Sequence, residues 1–357
     1  MSIPLSLREP IIILLSTGIV FIIPWFRQVF FSRRDIPEPT VKKREPFFDI
    51  VRGVAILAVI IIHLLYFYLK VDRDSHSFLL HTTNNLLRFA VPWFLITSGA
   101  LLEKSLPDAK SWVKFYKKKI NSLLPPYLIM TGIITAVAGL PILTGLWYLV
   151  TGGALIPYYF LVILAQCYIV YPIFLLTKDN KKIFFCLFLI SLASAITPQL
   201  WYLYHIPFAG QYFFFFFYGI YKRNELLEIN GKVPETKTWL FILLTTVILY
   251  ILFPAYLYNA SFMYSIPLLH IFYSLSEKIK QNARFASLLA KFGKNSLWIF
   301  LLHYPITYLV FIVCMPLQIP FLFKIILGSL VSIIASFGLS ITVQNLYSKI
   351  NKLILPS

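Results

Sequence analysis

Two ionisable side chains, Arg52 and His63, sit inside one apolar stretch, FDIVRGVAILAVIIIHLLYFY (residues 48–68). Ionisable groups are expensive in hydrocarbon, so within a membrane segment they face a cavity, a partner or a relay rather than lipid. At about 100° and about 1.5 Å per residue, the two positions lie roughly 20° apart around a helix and about 16 Å apart along it. They share one face at two depths. Taken singly, Arg52 reads as a snorkelling interfacial anchor and His63 as a hydrogen-bonded core histidine. As a pair they point to a groove that docks an anionic ligand at Arg52 and carries it toward His63. Imidazole titrates near neutrality and suits the activation of a hydroxyl. Asp49, one turn before Arg52, is the expected local partner of the arginine.

Further residues could complete such a site. Arg88 opens the apolar segment 86–102, either as an anchor or as a group that binds an acceptor or stabilises developing negative charge. Lys114, Lys117, Lys118 and Lys119 form a basic run read as the cytoplasmic start of a helix. There they suit anionic lipid, or the phosphates of a carrier helped by free helix N–H groups. His303 precedes Pro305 by two residues, and is expected to line the same cavity as His63 or to satisfy carbonyls that the proline frees. Asn295 and Ser296 look like the N-cap of that span, and Gln166 like interhelical glue. The loop residues Asp72, Asp74, His76 and His81 match no metal-ligand spacing, so no metal is expected. Cys167, Cys186 and Cys314 lie singly in apolar runs and predict neither a disulfide nor a zinc site.

These residues must be held by membrane helices. Of 357 residues 59% are hydrophobic and 13% charged, with a mean hydropathy of +0.78. Such a chain is an all-α polytopic membrane protein. The net charge of +18 belongs to loops, since no basic soluble module is present to bind nucleic acid. Spanning segments are expected near residues 10–30, 48–69, 86–102, 123–141, 157–176, 183–200, 208–221, 239–258, 262–276, 297–315 and 321–346, about 11 in all. Segments 208–221 and 262–276 are short enough to be tilted, broken or re-entrant. Alternate loops carry 25 against 5 Lys and Arg, which predicts the N-terminus outside and the C-terminus in the cytoplasm. Positive charges follow rather than precede the first apolar segment, so 1–31 reads as an uncleaved anchor. A Pro-containing basic linker (32–46), a ten-helix core (47–346) and a short tail (347–357) complete the expected organisation.

The motif FDIVRGVAILAVIIIH resembles the opening of the integral-membrane acyltransferase-3 family, whose hallmark is an arginine and a histidine separated by ten residues. LLRFAVPWFLITSGALL (86–102), with Arg88, Pro92, Phe94, Ser98 and Gly99, is similar to the family's third segment here. KFYKKKINSLLPPY (114–127) is similar to its basic stretch leading into a Pro-Pro-aromatic helix start, and FGKNSLWIFLLHYPI (292–306) to its late Gly-x-Asn-Ser…His-x-Pro segment. Lys119 and Ser122 stand where many relatives carry two arginines, and no apolar segment after residue 103 contains Asp or Glu, as some relatives do. The resemblance implies transfer of an acetyl or succinyl group from cytosolic acyl-CoA, the donor substrate, with no permanently bound cofactor. The acceptor would be a hydroxyl of a cell-surface or lipid-linked saccharide, and the location a bacterial plasma membrane. His63 and Arg88 would be catalytic, and Arg52, Lys117, Lys118 and Lys119 would bind the carrier. Asp49, Ser98, Asn295, Ser296 and His303 would support them.

Two other classes compete. A transporter or flippase would use Arg52 and His63 as substrate or proton-relay groups, but proton-coupled carriers keep membrane carboxylates, and beyond Asp49 and Glu103 none lies in or beside a span. A lipid-donor glycosyl or phosphoryl transferase would want acidic residues with a metal. Acyl transfer needs a base, an oxyanion donor and a docking site for a phosphate-rich carrier, with His63 acting as base or as transient acyl carrier.

Overall fold

A computed structural model of the protein describes residues 46–71, 77–102, 106–196, 202–203, 206–227, 236–252 and 261–354, together with Pro24. The expected N-terminal anchor with its linker up to Glu45, the loop residues Asp72, Asp74 and His76, and Glu103 lie outside the described residues. In chain order the helices are α1 (Pro46–Val71), α2 (Ser77–Leu86), α3 (Ala90–Ala100), α4 (Ala109–Val137), α5 (Ile142–Thr151), α6 (Tyr159–Leu176), α7 (Lys181–Ile196) and α8 (Gly210–Tyr221). There follow α9 (Arg223–Leu227), α10 (Thr236–Leu252), α11 (Ser261–Ser274), α12 (Ser276–Gln281), α13 (Ala283–Lys294), α14 (Ser296–Cys314) and α15 (Phe321–Ile354). The only described strands, Tyr202–Leu203 and Ile206–Pro207, form a two-residue antiparallel ladder.

The protein is an all-α membrane protein. Among the described residues five helices are long and apolar enough to cross a bilayer: α1, α4, α6 with the 3-10 turn Ile156–Tyr158 before it, α14 and α15. The remaining expected segments among the described residues coincide with shorter helices. Segments 208–221 and 262–276 become helices of 12 and 14 residues, α8 and α11.

Residues 142–156, expected to be a loop, instead contain the apolar helix α5, which starts after Pro141 and stops at Gly152. Gly152 takes a left-handed φ of 70° that ends the helix. Ten residues rise only about 15 Å, so α5 falls short of a span.

A second correction concerns the lysine run. Helix α4 begins at residue 109, capped by Asp108, whose carboxylate accepts the Ser111 N–H at 2.8 Å while the Ser111 hydroxyl receives the Asp108 N–H at 3.3 Å. Lys114 to Lys119 therefore lie inside the helix, and Pro125 and Pro126 deeper still. The free N–H groups of a helix start are not beside these lysines.

The helices fall into two compact units: Pro46–Ala90 with Ala283–Ser357, and a unit containing Val91–Asn282. In the first, α1 is crossed by α13. A methyl added to Gly53 would be driven into the Leu289 carbonyl oxygen, and one added to Gly293 into the Asp49 carbonyl oxygen. Each helix thus offers a glycine to the other's backbone, the close approach that small residues permit in membranes. The chain reverses at Asn295, and α14 runs alongside α1 in the same direction. Phe67 meets Tyr304 and Tyr68 meets Phe311, with ring centroids 5.2 and 5.0 Å apart. Helix α15 returns antiparallel, with Gly328 against Leu64 and Phe321 against Tyr68. Leu64, Leu65, Phe67, Tyr68, Leu80 and Phe311 form the core that results.

The second unit repeats the device. Gly99 of α3 faces the Phe216 carbonyl, and Gly219 of α8 faces the Ile96 carbonyl, too closely for a methyl at either. Tyr218 bonds His270 Nε2 at 2.7 Å, and the His270 ring stacks on Trp239 at 4.3 Å. Gln166 clasps loop backbone rather than another helix: its Nε2 donates to the Pro207 carbonyl at 2.6 Å, and its Oε1 accepts the Ala209 N–H at 2.9 Å. All three cysteines are free thiols.

Candidate active site

His63 lies in the fifth turn of α1 and is half-buried. Its ring meets His303 of α14 at 5.2 Å between centroids, tilted by 45°, and Tyr304 at 5.2 Å edge-on. His303 is fully buried, and its Nδ1 lies 2.7 Å from the Phe300 carbonyl one turn back. A carbonyl only accepts, so Nδ1 carries the proton and Nε2 the lone pair. Nε2 has no hydrogen-bond partner. His303 Nδ1 thus bonds the Phe300 carbonyl rather than that of Leu301, the one four residues before Pro305.

Arg88 occupies the 3-10 turn Leu87–Phe89 between α2 and α3. Pro92 accounts for the turn: it has no N–H to return to the Arg88 carbonyl, so the ladder tightens there. The Arg88 guanidinium donates from Nε to Asn85 Oδ1 (3.1 Å) and from Nη2 to Asn84 Oδ1 (3.4 Å). Asn84 Nδ2 in turn donates to the Ile62 carbonyl at 2.9 Å. Arg88 is thus tied to the backbone next to His63, and both its charge and His303 are within electrostatic reach of that histidine. Asn84 and Asn85 were not anticipated. Their signal is two amides placed four and three residues before an arginine.

The other candidates divide between the units. Arg52, half-buried in the second turn of α1, belongs with His63, as does Asp49, which is buried where α13 crosses. Asn295 occupies the N-cap position of α14 but caps nothing. It lacks the extended backbone of a capping residue, and its Nδ2 instead donates to the Lys291 carbonyl at 2.8 Å, closing the end of α13. Ser296 is the first residue of α14.

Ser98 and the lysines belong to the other unit. Ser98 is buried beside the Gly99 crossing. Lys117 and Lys118 are exposed, whereas Lys119 turns inward, its ammonium 4.6 Å from the Tyr168 ring centroid and 5.7 Å from that of Phe115. Among the described residues no group of three His, Cys, Asp or Glu side chains gathers as metal ligands.

A family model described as an acyltransferase domain matches residues 45–343. No curated protein and no solved structure matches the chain. The matched span takes in both halves of the split unit, and with it α1 from Pro46 and α14 with their facing histidines. By the extent of that match, the chain belongs to the acyltransferase-3 family of membrane acyltransferases.

Proposed function

We propose that the protein is an O-acyltransferase that moves an acetyl or succinyl group from cytosolic acyl-CoA to a hydroxyl of a cell-surface or lipid-linked saccharide in a bacterial plasma membrane. The observation that carries this reading is the grouping of His63, Arg88 and His303 in one unit, in a chain of this family. Arg52, on the same face of α1 about 16 Å away, would hold the phosphates of the carrier. In the other unit, Lys119, whose ammonium lies over two aromatic rings, and the exposed Lys117 and Lys118 offer positive charge to a phosphate-bearing carrier. His63 takes the proton of the acceptor hydroxyl as its oxygen attacks the thioester carbonyl. Arg88, fixed by two asparagines, stabilises the developing oxyanion. The C–O bond forms, the C–S bond breaks, and the proton passes from His63 to the departing thiolate. In the two-step variant the His63 nitrogen first attacks the thioester and the C–S bond breaks to release the thiolate; the acceptor hydroxyl then takes the acyl group as the C–N bond breaks, and its proton passes to the freed imidazole.

The test uses membrane vesicles from cells expressing the chain, supplied with radiolabelled acetyl-CoA or succinyl-CoA, with label counted in glycan. His63→Ala should cut incorporation about 10²- to 10⁴-fold while leaving acyl-CoA affinity near that of the wild type. Arg52→Ala should raise the KM for acyl-CoA. Full activity in His63→Ala would end the scheme, and an unchanged KM would return Arg52 to the role of an anchor.

A further inference from the structure

His303 carries the one buried ring nitrogen of the site whose protonation is settled by geometry. Its Nδ1–H is committed to the Phe300 carbonyl, which leaves Nε2 as an acceptor, fully buried and unpartnered. A buried acceptor left unpaired forfeits its hydration without compensation, so it calls for a donor. His63 is the ring beside it. Two imidazoles joined by a near-linear N–H···N bond of about 2.9 Å have centroids roughly 5 Å apart, and the observed separation is 5.2 Å. At that separation, turning of the His63 ring is what would present one of its nitrogens to His303 Nε2.

We propose that His303 is a positioning residue that sets the tautomer and orientation of His63. The chain of bonds runs from the Phe300 carbonyl to His303 Nδ1–H, and from His303 Nε2 to an N–H of His63. The second His63 nitrogen, turned away from His303, then necessarily holds the lone pair offered to the substrate. A histidine's reactive nitrogen is selected by the bond its other nitrogen makes. Here a neutral imidazole takes the place that a carboxylate holds in hydrolytic triads, in a chain whose later spans carry no acid. Once His63 has accepted a proton, the same bond steadies the imidazolium against the nearby charge of Arg88. The proposal rests on His63 being the reacting group, whether as base or as acyl carrier, since both need the same free nitrogen.

Two substitutions separate positioning from packing. In His303→Asn, Nδ2 reproduces the donor to Phe300 but removes the acceptor at the Nε2 position. In His303→Gln, Oε1 restores an acceptor near that position and the anchor is lost. In the vesicle assay with labelled acetyl-CoA, His303→Asn should lower kcat about 10²-fold with the KM for acetyl-CoA unchanged, and His303→Gln should stay within about tenfold of wild type. A purely structural role for His303 predicts the opposite ranking. An Asn variant at least as active as the Gln variant, equal losses in both, or losses that follow the thermal stability of the purified variants would each overturn the proposal. If His63→Ala is inactive while His303→Asn is unaffected, only this proposal falls. If His63→Ala is active, the functional reading falls with it.

Discussion

Replacing Gly293 with alanine tests the packing on which the site depends. The new methyl would enter the space of the Asp49 carbonyl oxygen, which is backbone of α1 rather than the movable end of a side chain. The crossing of α1 and α13 can accept it only by opening, by on the order of 1 Å, which also shears Gly53 against Leu289. Overpacking at rigid contacts costs about 1–3 kcal/mol, and the upper end applies where backbone meets backbone. Alanine returns about 1 kcal/mol in helix propensity, for a net loss of about 2 kcal/mol. For a cooperative unit of this size that lowers Tm by about 8 °C.

Gly338→Ala on α15 is the control within the same unit, since nothing lies within 4 Å of the methyl it would add. There propensity acts alone and Tm should hold or rise. The assay is labelling of the buried Cys314 thiol by a fluorogenic maleimide during a thermal ramp in detergent, in a background where Cys167 and Cys186 are replaced by alanine. Gly53→Ala should behave like Gly293→Ala, and the double variant should lose less than the sum of the two, because one opening relieves both clashes. A Gly293→Ala protein that unmasks Cys314 no earlier than Gly338→Ala would refute the close crossing and, with it, the placement of α14 beside α1.

Three further outcomes are expected. Gln166→Leu removes both bonds to the loop at 207–209, about 2 kcal/mol of local stability, so the Ala209 amide should exchange roughly 30-fold faster; unchanged exchange would sink the clasp. Tyr218→Phe deletes the bond to His270 and should lower the Tm of the purified protein by a few degrees, at a cost of about 1–2 kcal/mol; an unchanged Tm would show the pair to be idle. The Ser111 backbone N–H, with the Ser111 hydroxyl, holds the Asp108 carboxyl below its ordinary value of 3.8. A depressed carboxylate stabilises fully above that value and loses the contribution as pH falls through the folded one. Protection of the Ser111 amide should therefore be flat above pH 4 and fall in stronger acid, and protection that persists to the acid limit would count against the cap.

The sequence carried the chemistry further than the architecture. Arg52 and His63 on one helical face followed from helix geometry alone, and α1 does span both. The family motifs anticipated Arg88 and His303, and even the glycines of Arg-Gly and Gly-x-Asn-Ser, but not what the glycines do. Their function is a contact between residues some 240 apart in sequence, to which no local pattern refers. The helix hidden at 142–151 escaped for a related reason, since an apolar run too short to span resembles a loop when only spans are counted. The lysine run misled because Pro125 and Pro126 look like a helix start, whereas Asp108 with Ser111, a capping pair with serine in the place of the usual glutamate, begins the helix some seventeen residues earlier.

The motifs nearest the two ends of the matched region thus assemble into a single object. Gly53 and Gly293 clamp α1 to α13, the chain reverses at Asn295, and α14 then has no freedom but to run beside α1 until His303 reaches His63. In both segments the histidine follows the glycine by ten positions, as His63 follows Gly53 and His303 follows Gly293. A general base or nucleophile acts only if its lone pair is held within a fraction of an ångström of the reacting atom. In a bilayer, where helices gain little from hydrophobic association with one another, backbone contact at glycine is one of the few ways to obtain that rigidity. The helix that carries His63 is therefore the one that cannot tolerate a methyl group ten residues earlier. A relaxed crossing would be expected to appear first as a loss of kcat, before any loss of the folded protein.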